Sequence, residues 1–124
     1  MTGVQTCALP ICGDVPRNII GDSLAGAGPK QIGDSLKLIR QMADDDEIQN
    51  QRNLPRKHKI SVASSNDALA QTLMNCQGWV PVERDGIVGW KYHAGGGLGA
   101  RPYLAKLIFD WVPEELVQIG RAHV

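Results

Sequence analysis

The stretch WVPVERDGIVGWKYH, residues 79–93, limits what this chain can become more than any other. Asp85-Gly86 at its centre is a favoured pair for a two-residue type I′ turn, in which both central residues need positive φ. The flanking runs, rich in Trp, Val, Ile and Tyr, have the composition of strands. A turn at 85–86 sets Trp79 opposite Tyr92 and Pro81 opposite Trp90, so three aromatic rings share one face. Such a face covers a core, although sheet-borne aromatics also stack nucleic-acid bases. Pro81 has no N–H to offer a ladder, so this strand is expected at an edge.

Helical spacing accounts for much of the remainder. From Ser35, the apolar positions Leu36, Ile39 and Met42, with Leu38 beside them, predict a helix of about three turns. It ends near DDDEIQ, where four acidic residues crowd the unfavourable end of the helix dipole. A polar loop broken by Pro55 leads to KISVA (59–63), a short β-prone run. In SSNDALAQTLMNCQG, Ser64 and Asp67 have capping-box spacing. Leu69, Leu73 and Cys76 make an i, i+4, i+7 stripe, and Gly78 suits the C′ position, so a second helix is expected over 64–77. After the loop AGGGLGAR, Pro102 can open a third helix with the stripe Leu104, Leu107, Ile108 and Trp111, closed by Pro113. Residues 13–34 are rich in Gly and Pro and read as irregular. The expected class is α+β, with three helices, one short strand and a β-hairpin.

The two ends, MTGVQTCALPIC and IGRAHV, fit no element. Back-translated, QTCALPI and IGRAHV can be encoded by opposite strands of one DNA element, the relation expected of inverted library adapters flanking a fragment. Residues 1–12 and 118–124 are therefore read as adapter-derived and set aside. Cys7 and Cys12 go with them, leaving Cys76, and a lone cysteine supports neither a disulfide framework nor a cysteine-rich zinc site. Without Arg121 the balance is 12 basic to 13 acidic residues, which gives no electrostatic footprint for nucleic acid or membrane. A missing native N-terminus makes the lack of a targeting signal uninformative, and a cytoplasmic setting is the default. The expected parent is a larger bacterial or phage protein.

Several stretches invite chemistry. IIGDSLAGAG (19–28) resembles the first block of GDSL/SGNH hydrolases, a resemblance that implies Ser23 as nucleophile with Asp22 beside it. Asp-Ser pairs also start helices and make turns, and IGDSL recurs at 32–36. HAGGGLG (93–99) could present backbone N–H groups to an anion, or simply connect. The run RKHK makes Arg56, Lys57 and Lys59 candidate contacts for phosphate or a partner. His58 and His93 lack metal-ligand spacing, and nothing calls for a cofactor. A capped helix followed by a hairpin with a charged tip resembles the recognition helix and wing of winged-helix domains, which implies partner contacts at Arg84 and Lys91. An α-β-β-α order also resembles HicA-type RNA-binding toxins, with His93 in the hairpin position. The residues thus favour a non-catalytic binding module for protein or nucleic acid, with a truncated serine hydrolase as the enzymatic alternative.

Overall fold

The computed structural model describes residues 19–45, 54, 57–66 and 70–117. Both adapter-like tails lie outside these residues, as do Arg56, Asp67, Leu69 and the end of the DDDE run. Five strands form one sheet in the order β1 (Ile20–Gly21), β2 (Ile60–Val62), β3 (Gln77–Arg84), β4 (Ile87–Ala94) and β5 (Lys106–Pro113). The first three are mutually parallel, and β3, β4 and β5 form an antiparallel meander. One α-helix, α1 (Ser35–Ala43), packs against the sheet. Among the described residues no helix is long and apolar enough to cross a membrane.

The hairpin has the expected register. Trp79 pairs with Tyr92 and Pro81 with Trp90, around a turn in which Asp85 has φ 54° and Gly86 φ 77°. The Trp79 and Tyr92 rings lie 4.5 Å apart between centroids. Together with Trp90 they bury against Leu38, Met42, Ile60, Val62 and Val117. The aromatic face is therefore core. α1 starts where Asp34 accepts a 3.0 Å hydrogen bond from the Lys37 amide, an N-cap that satisfies one orphan donor. Its buried stripe runs through Leu38 and Met42, one turn apart, while Leu36 faces water. The helix entry rests on the Pro81–Trp90 pair: a Cβ at Gly33 would stand 2.7 Å from Pro81 Cβ and 3.1 Å from the Trp90 ring.

Pro81 lies on an internal strand, yet the reasoning that placed it at an edge survives locally. Gln77 donates to the Lys59 carbonyl and the Trp79 carbonyl accepts from Ala63, so these alternate residues of β3 turn their polar groups toward β2. Pro81 continues that alternation, but β2 pairs no further than Trp79. The missing N–H falls where the neighbour has stopped.

Three expectations are corrected, and with them the winged-helix class. The helix predicted over 64–77 does not appear in the described residues of that stretch. Among the described residues of that stretch there is a 3-10 turn, Thr72–Met74, entered through Gln71 at φ 53°, and β3 already begins at Gln77. The cap signal failed because Ser64 spends its hydroxyl on Asp22, 42 residues away, rather than on a local amide. Ser61 likewise donates to the Ala70 carbonyl, tying this turn down on β2. Gly78 is inside a strand, where the Thr72 backbone lies too close for any Cβ. The helix predicted from Pro102 is instead β5. Its run Leu-Ile-Phe-Asp-Trp-Val is β-branched and aromatic, and pairing against β4 decided a pattern compatible with either period. Phe109 there stacks on Tyr92 at 6.2 Å. Finally, the stretch read as irregular contains β1, paired in parallel with β2.

Trp90 joins sheet and helix, so Trp90→Ala is expected to cost roughly 3–5 kcal/mol. Urea titration should show a lowered midpoint with an unchanged slope.

Candidate functional site

At one end of the sheet four strands place a row of residues side by side. Ile60 pairs with Gln77, Gln77 with Ala94, and Ala94 with Lys106, while Lys59, one residue before Ile60, accepts at its carbonyl from the Gln77 amide at 3.0 Å. Three strand spacings of ~4.8 Å put the backbones of Lys59 and Lys106 roughly 14 Å apart. Lys106 shares the face of Ile60, Gln77 and Ala94, whereas strand alternation turns Lys59 to the other face, that of Gly78 and His93. Lys57 is exposed and Lys59 half-buried. The Lys57 backbone is held by a 3.7 Å contact from the Cys76 thiol to its carbonyl.

The glycine loop closes over the same end. Gly95, at φ 89°, donates to the Cys76 carbonyl at 3.0 Å. Gly97 and Tyr103 exchange two hydrogen bonds of 2.9 Å, and Ala105 donates to the Leu73 carbonyl at 2.8 Å. Gly96 is clamped against the carbonyls of Leu73 and Asn75, only 2.5 and 2.6 Å from where a Cβ would stand. No larger residue fits, so the loop is a pinned element rather than a free connector. Half-buried His93 sits beside Gly78 on the neighbouring strand. Burial lowers its pKa, the hydrogen bond with the Gly78 backbone works the other way, and the Lys91 charge lowers it again. A neutral imidazole, cationic side chains and a glycine-rich backbone make an environment suited to a small anion. The glycine loop could not be joined to Lys57 from sequence, because reading 64–77 as a helix hid the contacts of Cys76 with Gly95 and with Lys57.

The other sequence candidates lie elsewhere. Arg84 is at the opposite end of β3, with its guanidinium 3.5 Å from the Asp110 carboxylate and 5.6 Å from the Trp111 ring centroid. Lys91 is half-buried on β4. Arg56 lies outside the described residues. Ser23 is exposed in the turn after β1, whereas Asp22 is buried. One Asp22 oxygen accepts from the Leu24 amide at 2.8 Å; the other accepts from the Ser64 hydroxyl at 2.6 Å and the Ser64 amide at 3.3 Å. Burial alone would raise its pKa, but these three hydrogen bonds outweigh it and hold the carboxyl below its ordinary 3.8. Asp22 is thus a clasp between the ends of β1 and β2, turned away from Ser23.

This mixed sheet and its relatives define a class. The chain belongs to the nitrite and sulphite reductase 4Fe-4S domain family, which it matches over residues 12–124. It is 34% identical over 112 residues to the assimilatory ferredoxin-dependent nitrite reductase of Haloferax mediterranei, covering 83% of this chain and 19% of that protein. Against a ferredoxin sulfite reductase of Mycolicibacterium paratuberculosis it is 34% identical over 119 residues, covering 90% of this chain and 20% of the relative. The solved structure of the NirA protein of Mycobacterium tuberculosis superposes with a TM-score of 0.73 at 28% identity, over 86% of this chain and 19% of that one. The chain thus spans about a fifth of the length of these relatives. A domain of a redox-enzyme family replaces the non-catalytic winged-helix module, and with it the serine-hydrolase and HicA-type readings.

The donors present do not fit the cluster in the family's name. An all-cysteine [4Fe–4S] site takes four thiolates, and the whole chain has three cysteines. Among the described residues only Cys76 occurs, and no group of three or more His, Cys, Asp or Glu could hold a metal ion. Reconstitution of this chain with iron and sulfide should therefore leave no cluster absorbance in the visible range after desalting.

Asp22 gives a second expectation. Its folded pKa lies below the unfolded one, so its contribution is present above the ordinary carboxylate range and is lost as pH falls through the folded value. The urea midpoint of the wild type should drop on acidification below about pH 4, and Asp22→Asn should flatten that drop.

Proposed function

We propose that this chain is one segment of a ferredoxin-dependent reductase acting on nitrite or sulfite, and that its basic sheet end helps to hold the oxyanion. The family match across residues 12–124 carries this reading. Relatives named as nitrite and as sulfite reductases stand at the same 34% identity, which favours the shared chemistry of a small oxyanion over either substrate. Lys57 and Lys59 supply the positive charge such an anion requires, beside the pinned glycine loop that Cys76 links to Lys57. Electrons would come from ferredoxin, and a cluster would be ligated by thiolates beyond this chain. The segment's own work is then to bind, to orient and to exclude water around the anion.

The test uses the full-length parent reductase with reduced ferredoxin, following consumption of nitrite and of sulfite. Lys57→Met and Lys59→Met should each lower kcat/KM about 10–100-fold, the worth of one charge-assisted hydrogen bond of ~1.5–3 kcal/mol. Arg84→Ala, at the far end of the sheet, should stay within about twofold, since its exposed ion pair is weak. Reduction of neither anion would refute the activity. Lysine variants as fast as wild type would refute the role of the sheet end.

A further inference from the structure

β5 is the last strand of the sheet, and among the described residues one edge of it has no neighbour. Its first half carries Leu107, Ile108 and Phe109 in succession, 51%, 51% and 48% exposed. Successive strand residues point to opposite faces, so this strand is half-exposed on both sides as well as open along its edge. The loop leading into it adds Leu98, Tyr103 and Leu104, each more than 60% exposed. Natural edge strands are protected by charge, proline or brevity. Here the charges, Lys106 and Asp110, stand only at the margins of the apolar run. Next to it is an apolar cavity of about 290 Å³, bounded by Tyr92, Phe109, Trp111 and Leu116 among others. Phe109 belongs to both features, so strip and cavity form one continuous surface.

We propose that this surface is the seat of another segment of the same reductase polypeptide, which adds a strand to the free edge of β5 and sets an apolar side chain into the cavity beside Phe109. The inference rests on the reading of this chain as part of a longer reductase. Two observations select the occupant. The relatives are about five times as long as this chain, so most of the polypeptide that could cover the strip lies outside it. The strip is also apolar through its centre, the character of a permanent interface, whereas brief redox encounters use small and more polar contacts. A covalently attached segment reaches the edge at a high effective concentration, which no separate partner matches.

Amide hydrogen exchange, measured side by side on the full-length reductase and on this 124-residue chain, tests the proposal. Residues 107–109 should exchange about 100-fold more slowly in the full-length protein, while the hairpin tip at 84–87 should be unchanged. Leu104→Lys and Ile108→Lys alter side chains that already face water in this chain, so its own exchange pattern should persist in both variants. In the full-length protein both variants should erase the added protection. Equal exchange of 107–109 in the two wild-type proteins would overturn the proposal. So would protection in the short chain that rises with concentration, since a second copy would then be the occupant. A full-length protein that protects 107–109 but reduces neither anion would refute the functional reading and leave this interface standing; the converse result would refute the interface alone.

Discussion

The pairing of Trp79 with Tyr92 and of Pro81 with Trp90 governs the rest of the molecule. A one-residue slip in that hairpin would turn all four side chains to the opposite face. The residues that α1 packs on would be gone, and Gly33, which touches both Pro81 and Trp90, would lose its seat. Tyr92 shows how dry the resulting core is, since burial pushes its phenol pKa up to about 12. The same register aligns Gln77 with Ala94 at the far end of the two strands, and through them Ile60, the residue after Lys59, with Lys106. Core and candidate site are two ends of one alignment.

Local signals were legible where the chain answers to itself. Asp85-Gly86 demanded its turn, the alternation on either side set the register, and Ser35 through Met42 kept helical spacing. They misled where a distant residue decided. Ser64 looked like a cap but bonds Asp22, and that partner is invisible to any reading of a short window. The apolar spacing of 104–111 suits a helix, yet β4 offered a ladder and aromatic contacts that a free helix could not match. Pro81 shows a middle case, for its chemistry correctly required a bare N–H position but could not say that a short β2 would create one inside the sheet.

The candidate site was legible only in pieces. The lysines of RKHK and the glycines of 95–97 both suggested an anion, but nothing in sequence joined them. Their union depends on Cys76, which accepts from Gly95 and contacts the Lys57 carbonyl, and on the loop being pinned through Tyr103 and Ala105. The proposed oxyanion rests on family membership, since no charge count would have suggested an anion in a chain with a formal charge of zero.

The sheet is also uneven in how its strands must be found during folding. The β3–β4–β5 meander joins segments that follow one another in the chain, so each pairing closes a short loop. The parallel side closes instead through Asp22 and Ser64, 42 residues apart, for a strand only two residues long. Long closures with few contacts to reward them come late and reopen first. The polypeptide thus has a quick half and a slow half. α1, the cover of the aromatic core, lies inside that 42-residue closure, so the lid over Trp79 and Trp90 is tied down by the shortest strand pairing in the sheet.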